Sequence, residues 1–240
     1  MPSLKHIITF IILSISLALC GFFPGYYYYI TKFHNNTVTV KGLAEMDVTA
    51  NLAIWKLKFI TTDNNLQVAE QKIKEQATQI YSFLTTEGFT PTEIKFSHID
   101  TQDLLATPYR NAEINSSRFI LSQTITIKTN NISLVEQSIP KTDKLIAKGI
   151  IFDNSYGDSV SYIFTKLNEI KPKMLEIATK NAKNSAEEFA KSSNSKIGKI
   201  HYANQGVFTI MPRDNTPSSY ELGQIEKKIR VVTTITYWLK

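Results

Sequence analysis

From His6 to Thr31 the chain carries no lysine, arginine, aspartate or glutamate. Nothing else in the sequence restricts folding as strongly, because a helix this apolar must leave water. Apolar residues dominate from Ile7 to Phe23, 17 residues, or roughly 25 Å of helix. Extended to Ile30 the run has 24 residues, enough to cross a bilayer with some tilt. Tyr26 to Tyr29 then fall at headgroup level, where an aromatic ring with a polar tip is most stable. Pro24 and Gly25 fall near the edge of the hydrocarbon, where a break in the helix costs least.

Three fates of this segment stay open. It is an uncleaved anchor over residues 1–30, an export signal cut near Ala18 or Cys20, or a lipid-attachment site at Cys20. A lipoprotein signal wants a small residue before its cysteine, and here bulky Leu19 stands there. The continuation past Cys20 into the tyrosines favours the anchor. A short tail before an apolar run is the shape of an export signal, so residues 31–240 are expected outside the cytoplasm.

Those residues contain no cysteine. No disulfide can support them, so they need a packed core, for which the length suffices. Of the 27 basic residues only Lys5 precedes the apolar run, against 21 acidic ones. The charges are scattered along the chain without a run of one sign, which argues against a nucleic-acid partner.

Periodicity predicts an α+β fold of two similar strand–helix–strand–strand units, with helices on largely antiparallel sheets. The halves are approximately 37–130 and 131–240. In the first, Leu52, Ile54, Leu57 and Phe59 alternate but are interrupted by Trp55, which predicts a bulge or a sheet covered on both faces. Asp63 is the expected N-cap of a helix whose apolar face is Leu66, Ala69, Ile73, Ala77, Ile80 and Leu84, with Gly88 as its stop. Phe119, Leu121, Ile125 and Ile127 mark a half-buried strand. A helix broken near Pro140 joins the halves. In the second, Pro172 is expected in the first turn of a helix with Ile170, Met174, Ile177, Ala178, Ala182, Ala186 and Phe189 on its apolar face. Ile229, Val231, Ile235, Tyr237 and Leu239 alternate along a closing strand. Tyr237 and Trp238 must then point to opposite faces, so both are candidate interface residues.

"VTVKGLAEMDVTANLAIWKLKF" resembles the opening of SIMPL-domain proteins, through Val38, Val40, Gly42, Ala44, Glu45, Val48 and Ala53. "ATKNAKNSAEEFAKSSNSKIGKI" resembles that family's Ala-rich late helix, through Ala178, Ala182, Ala186, Glu187, Ala190 and Gly198. Asn181 and Lys183 depart from the A-R-x-K-A core common there. The resemblance implies a bacterial envelope protein, anchored in the inner membrane with its bulk in the periplasm, homo-oligomeric and associated with stress. It implies no catalytic residues. A smooth alanine stripe lets a helix lie close on a sheet, and Gly42 suits a close backbone approach.

Candidate chemistry is sparse. His98 and His201 fall on corresponding expected strands of the two halves, after the helix each time, and Asp100 and Asp103 lie near His98 at a spacing that does not aim all three at one face. "DNSYGDS", with Asp153, Asn154 and Asp158, lacks the spacing of a calcium loop and reads as a turn. No nucleophile elbow, phosphate loop or dinucleotide fingerprint occurs. The expectation is a non-enzymatic, membrane-tethered, self-associating protein without a cofactor or metal. The alternative is a hydrolase or metal-dependent enzyme around His98 and His201.

Overall fold

The structure is a computed structural model that describes residues 4–33, 36–106, 117–153, 160–214 and 220–240. It is an α+β fold with two antiparallel sheets. The chain divides into two compact units. The first comprises Met1–Glu45, Lys171–Phe208 and Arg230–Lys240, the second Met46–Ile170 and Thr209–Ile229. The units therefore interleave along the sequence, and the division does not fall near residue 130. The reason lies in the pairing: the last strand returns beside the first.

The apolar segment is α1 (Leu4–Phe33), unbroken through Pro24. Within its Ile7–Ile30 stretch an 18-residue window reaches a mean hydropathy of 2.3, and none of that window is buried. The helix does not break at Pro24, where a break would have cost least. A proline inside a helix forfeits one hydrogen bond, and here the turn on either side continues. The helix advances about 100° per residue, so four successive tyrosines ring its whole circumference. Phe22 stacks on Tyr26 at 5.8 Å between ring centroids.

The first sheet has the order β1 (Thr37–Thr49), β10 (Glu226–Leu239), β8 (Ile197–Gln205), with β9 (Thr209–Pro212) also on β10. In the first unit, Val40 and Ala44 of β1 and Val231, Ile235 and Tyr237 of β10 are buried. They alternate with exposed or half-exposed neighbours, as period two requires. Over this face lies α5 (Leu167–Ser192). It begins earlier than expected, so Pro172 stands in its second turn. Met174, Ala178, Ala182, Ala186 and Ala190 are its buried residues. Phe189, expected on that face, is 63% exposed.

The second sheet is built on β2 (Leu52–Asp63) and β5 (Phe119–Thr129), in unbroken register from Ala53 opposite Thr129 to Asp63 opposite Phe119. The strands β3 (Ile94–Phe96) and β4 (Asp100–Asp103) flank β5, and β6 (Ile151–Phe152) and β7 (Val160–Ile163) flank β2. No bulge is needed in β2. Trp55 belongs to the buried series Ala53, Trp55, Leu57, Phe59, while Leu52 and Ile54 lie on the other, half-buried face. Against β2 and β5 packs α2 (Leu66–Glu87), through Ala69, Ile73, Ala77, Ile80 and Leu84. Its N-cap is Asn65, whose Oδ1 accepts from the backbone N–H groups of Gln67 and Val68. Asp63, the expected cap, stands two residues too early. It accepts from the Asn65 N–H and pairs with Lys72 at 2.6 Å. Gly88 ends the helix at φ 111°, a conformation that favours glycine. The linker breaks at Pro140 as expected, between α3 (Ile132–Ser138) and α4 (Asp143–Ile146).

Candidate functional site

The two stretches that carry the family resemblance meet in space. Gly42 of β1 lies against the backbone of α5. A Cβ built at Gly42 would stand 1.9 Å from the Ala178 carbonyl oxygen, 2.6 Å from the Ala182 nitrogen and 2.8 Å from the Ala182 Cβ. No side chain fits there. Alanine at every fourth position keeps α5 low enough for the approach, and glycine on β1 completes it. Val40, Ala182, Ala186, Ile235 and Tyr237 close the core around this crossing, with Val38 and Ile197 at its margin. Asn181, where the sequence departs from the usual motif, donates from Nδ2 to the Leu43 carbonyl at 2.8 Å. A helix side chain thus occupies a carbonyl of an edge strand, a contact with no signature in sequence periodicity.

The charged motif residues lie outside this crossing. Glu45 faces Arg230 at 3.7 Å, and Glu187 faces Lys183 at 3.7 Å one turn away on α5. Tyr237 is buried, and burial pushes its hydroxyl above the ordinary tyrosine range, with the Glu187 carboxylate adding to the shift. Of the two candidate interface residues, then, Tyr237 is a core residue of its own chain. Trp238 points to the opposite face, half-buried, with its indole edge-on to His201 at 4.3 Å between centroids.

The histidines sit in simple surroundings. His98 Nε2 lies 2.9 Å from Asp100 Oδ1, and both side chains are largely exposed. Asp103 is engaged instead by Arg118, at 2.8 Å, and that guanidinium holds the Asp103 carboxyl below the usual range. His98 belongs to the second unit and His201 to the first. Asp153 pairs with Lys58 at 2.8 Å and donates its backbone N–H to the Lys58 carbonyl. Asn154 and Asp158 lie outside the described residues. Among the described residues no three His, Cys, Asp or Glu side chains stand close enough together to hold a metal ion.

Two features of the second unit were not expected. A groove of about 440 Å³ runs along β2 beside α4 and β6, lined by Trp55, Leu57, Ile146, Ile150 and Phe152 with Lys56 and Thr142 as polar edges. Such a lining offers shape and apolar contact but no proton-transfer pair. Lys227 is fully buried, donating to the Glu221 carboxylate at 2.7 Å and to the Glu221 carbonyl. The buried ammonium is thus paired and hydrogen-bonded, the condition under which burying it is tolerable. In the sequence it reads as one more surface lysine.

Among the described residues, the features with the most specific geometry are the Gly42 crossing and α1. No curated protein matches the chain. The sequence profile of the SIMPL family, a protein of unknown function also designated DUF541, matches residues 38–237. That span includes the Gly42 strand, the alanine helix and the closing strand, and the chain belongs to the SIMPL family.

Proposed function

We propose that this chain is a non-enzymatic envelope protein, held in the inner membrane by α1, with residues 31–240 in the periplasm. There it self-associates as a scaffold or stress-protective factor. The observation that carries this reading is α1 itself: a span of 24 uncharged, mostly apolar residues, none of them buried, ringed by tyrosines at the end that leads into the folded domain. A soluble protein would cover that surface. Intact mass spectrometry of the protein extracted from membranes tests the tether. The expected mass is that of a chain retaining residues 1–30. A mature chain beginning near residue 19 or 21, or one beginning at Cys20 with added lipid, would overturn it. The enzymatic reading around His98 and His201 has less support, since His98 meets one exposed carboxylate and His201 an indole. A stoichiometric metal lost in His98→Ala would revive it.

A further inference from the structure

The fold sorts charge that the sequence scatters. The first unit holds 12 of the 27 basic residues and 4 of the 21 acidic ones, and the second holds 15 and 17. The chain's net charge of +6 therefore comes entirely from the first unit, which is also the unit that contains α1.

Residues 1–44, 189–213 and 227–240 contain no aspartate or glutamate. The acidic residues of the first unit are Glu45, at the end of its portion of β1, and Glu176, Glu187 and Glu188 on α5. The end of the unit nearest α1 is assembled from four pieces of chain. Asn36, three residues beyond α1, accepts from the Leu239 N–H at 2.7 Å. Lys240 and Lys196 exchange both backbone hydrogen bonds, at 2.8 and 2.9 Å. Asn194, at φ 54°, turns the chain out of α5, and the Ser195 N–H returns to the Ala190 carbonyl at 2.8 Å. Lys191 stands in the last turn of α5. Lys191, Lys196 and Lys240 are exposed. Glu187 and Glu188 lie about one helical turn further back, and Lys183 faces the first of them.

We infer that this end of the first unit docks on anionic phospholipid headgroups of the bilayer that holds α1. The inference rests on the membrane-anchor reading above. Three residues of chain span at most about 11 Å, so the Lys196–Lys240 pair is held at a distance from the end of α1 comparable with the screening length of about 8–10 Å in physiological salt. Lysines held that close to an anionic surface are attracted to it. Trp238, next to Lys240 and half-buried, supplies a ring suited to the same interface. Docking would fix the first unit against the membrane instead of leaving it to swing on its tether.

The test uses the full chain reconstituted into vesicles of phosphatidylcholine alone, or of phosphatidylcholine with phosphatidylglycerol. A nitroxide on the lipid headgroup quenches indole fluorescence by proximity. A Trp238→Phe chain supplies the background of Trp55, the other tryptophan. The Trp238 signal is expected to be quenched about twofold more with the anionic lipid, and the increment is expected to fall on raising salt to about 0.5 M, where screening is short-ranged. The Lys196→Glu/Lys240→Glu chain is expected to lose the increment while keeping its unfolding midpoint. Lys173→Glu, near the start of α5, is expected to keep it. Equal quenching in both lipids, or an increment that survives both charge reversal and salt, overturns the docking. A chain that fails to float with either vesicle removes the anchor, and the docking with it. A chain that floats but shows equal quenching removes the docking alone.

Discussion

At residue scale the fold depends on what is missing from a side chain. Gly42→Ala would drive a methyl to 1.9 Å from the Ala178 carbonyl oxygen, which is backbone and cannot step aside. Either β1 or α5 must move. The expected cost is about 3 kcal/mol or more, at the upper end for overpacking, read as a lower urea midpoint. Ala182→Leu attacks the same contact from the other side and should cost about 1–3 kcal/mol, while half-buried Ser185 tolerates change better. Equal midpoints for Gly42→Ala and the parent would show that the crossing is not packed. A second residue-scale effect is electrostatic. Burial would raise the Glu93 carboxyl, but hydrogen bonds from Thr129 and from the Thr90 N–H and hydroxyl outweigh it and hold it below its usual range. Asp103 is lowered by its hydrogen bonds from Arg118. Carboxyls with depressed folded-state values contribute stability that is present above their unfolded values, near 4, and lost as pH falls through the folded ones. Urea midpoints should therefore be flat on this account from about pH 7 to 5 and fall below about pH 4. Glu93→Gln should flatten that acid limb, and an unchanged limb would remove Glu93 from the explanation.

At the scale of elements, α2 shows how far a sequence can be read. Its face from Ala69 through Ile73, Ala77 and Ile80 to Leu84 and its stop at Gly88 were legible because both follow from local geometry, period 3.6 and a positive φ, whereas Leu66, expected on the same face, is exposed in the first turn. Its start was not. Asp63, Asn64 and Asn65 are all capping residue types, and only the backbone decides that Asn65, with extended φ and ψ, presents its oxygen to two free N–H groups. Asn65→Ala should cost about 1 kcal/mol, the usual value of an N-cap, and Asp63→Ala should cost less, because its partner Lys72 is exposed. The reverse order in thermal unfolding would return the cap to Asp63. The errors in α5 have a different origin. Phe189 and Ala190 are consecutive and about 100° apart around the helix, and hydrophobicity alone favours the phenylalanine. The sheet approaches so closely that the regular spacing of four from Met174 to Ala190 takes the small residue and leaves the large one outside. The short β6 had no periodic signal, since it is created by pairing with β2, remote in sequence. Lys227 gave none because a charged side chain is hidden only by the carboxylate and carbonyl of Glu221, six residues before it.

At the scale of the whole molecule, the division into interleaved units follows from β10, which carries residues of both and places the closing strand between β1 and β8. A repeat of element order could not reveal this, because order along the chain does not fix which strands become neighbours. The pairing leaves two sheet edges with different properties. On β1, Asn181 already occupies the Leu43 carbonyl. On β8, every residue from Lys199 to Gln205 is exposed, and Ile200 and Tyr202 are more than half exposed. Natural edges are blunted by charge, proline, bulges or a cover. The β8 edge has Lys199 and an irregular register between Tyr202 and Ile200, but no proline, and among the described residues no segment pairs with it from outside. Self-association is therefore expected to use β8 and the adjoining Trp238. Tethering would strengthen it, because subunits held in one membrane meet at raised effective concentration. Light scattering on residues 31–240 at micromolar concentration should give a defined multiple of the single-chain mass. Ile200→Lys or Tyr202→Lys, and to a smaller degree Trp238→Ala, should shift that mass towards one chain without lowering the thermal midpoint. Tyr237→Ala should do the opposite, lowering the midpoint because it opens the core beside Ala182 and Ala186. A mass of one chain across the concentration range defeats self-association outright. A multimer that ignores the β8 substitutions but yields to changes in residues 211–220 moves the interface to that loop.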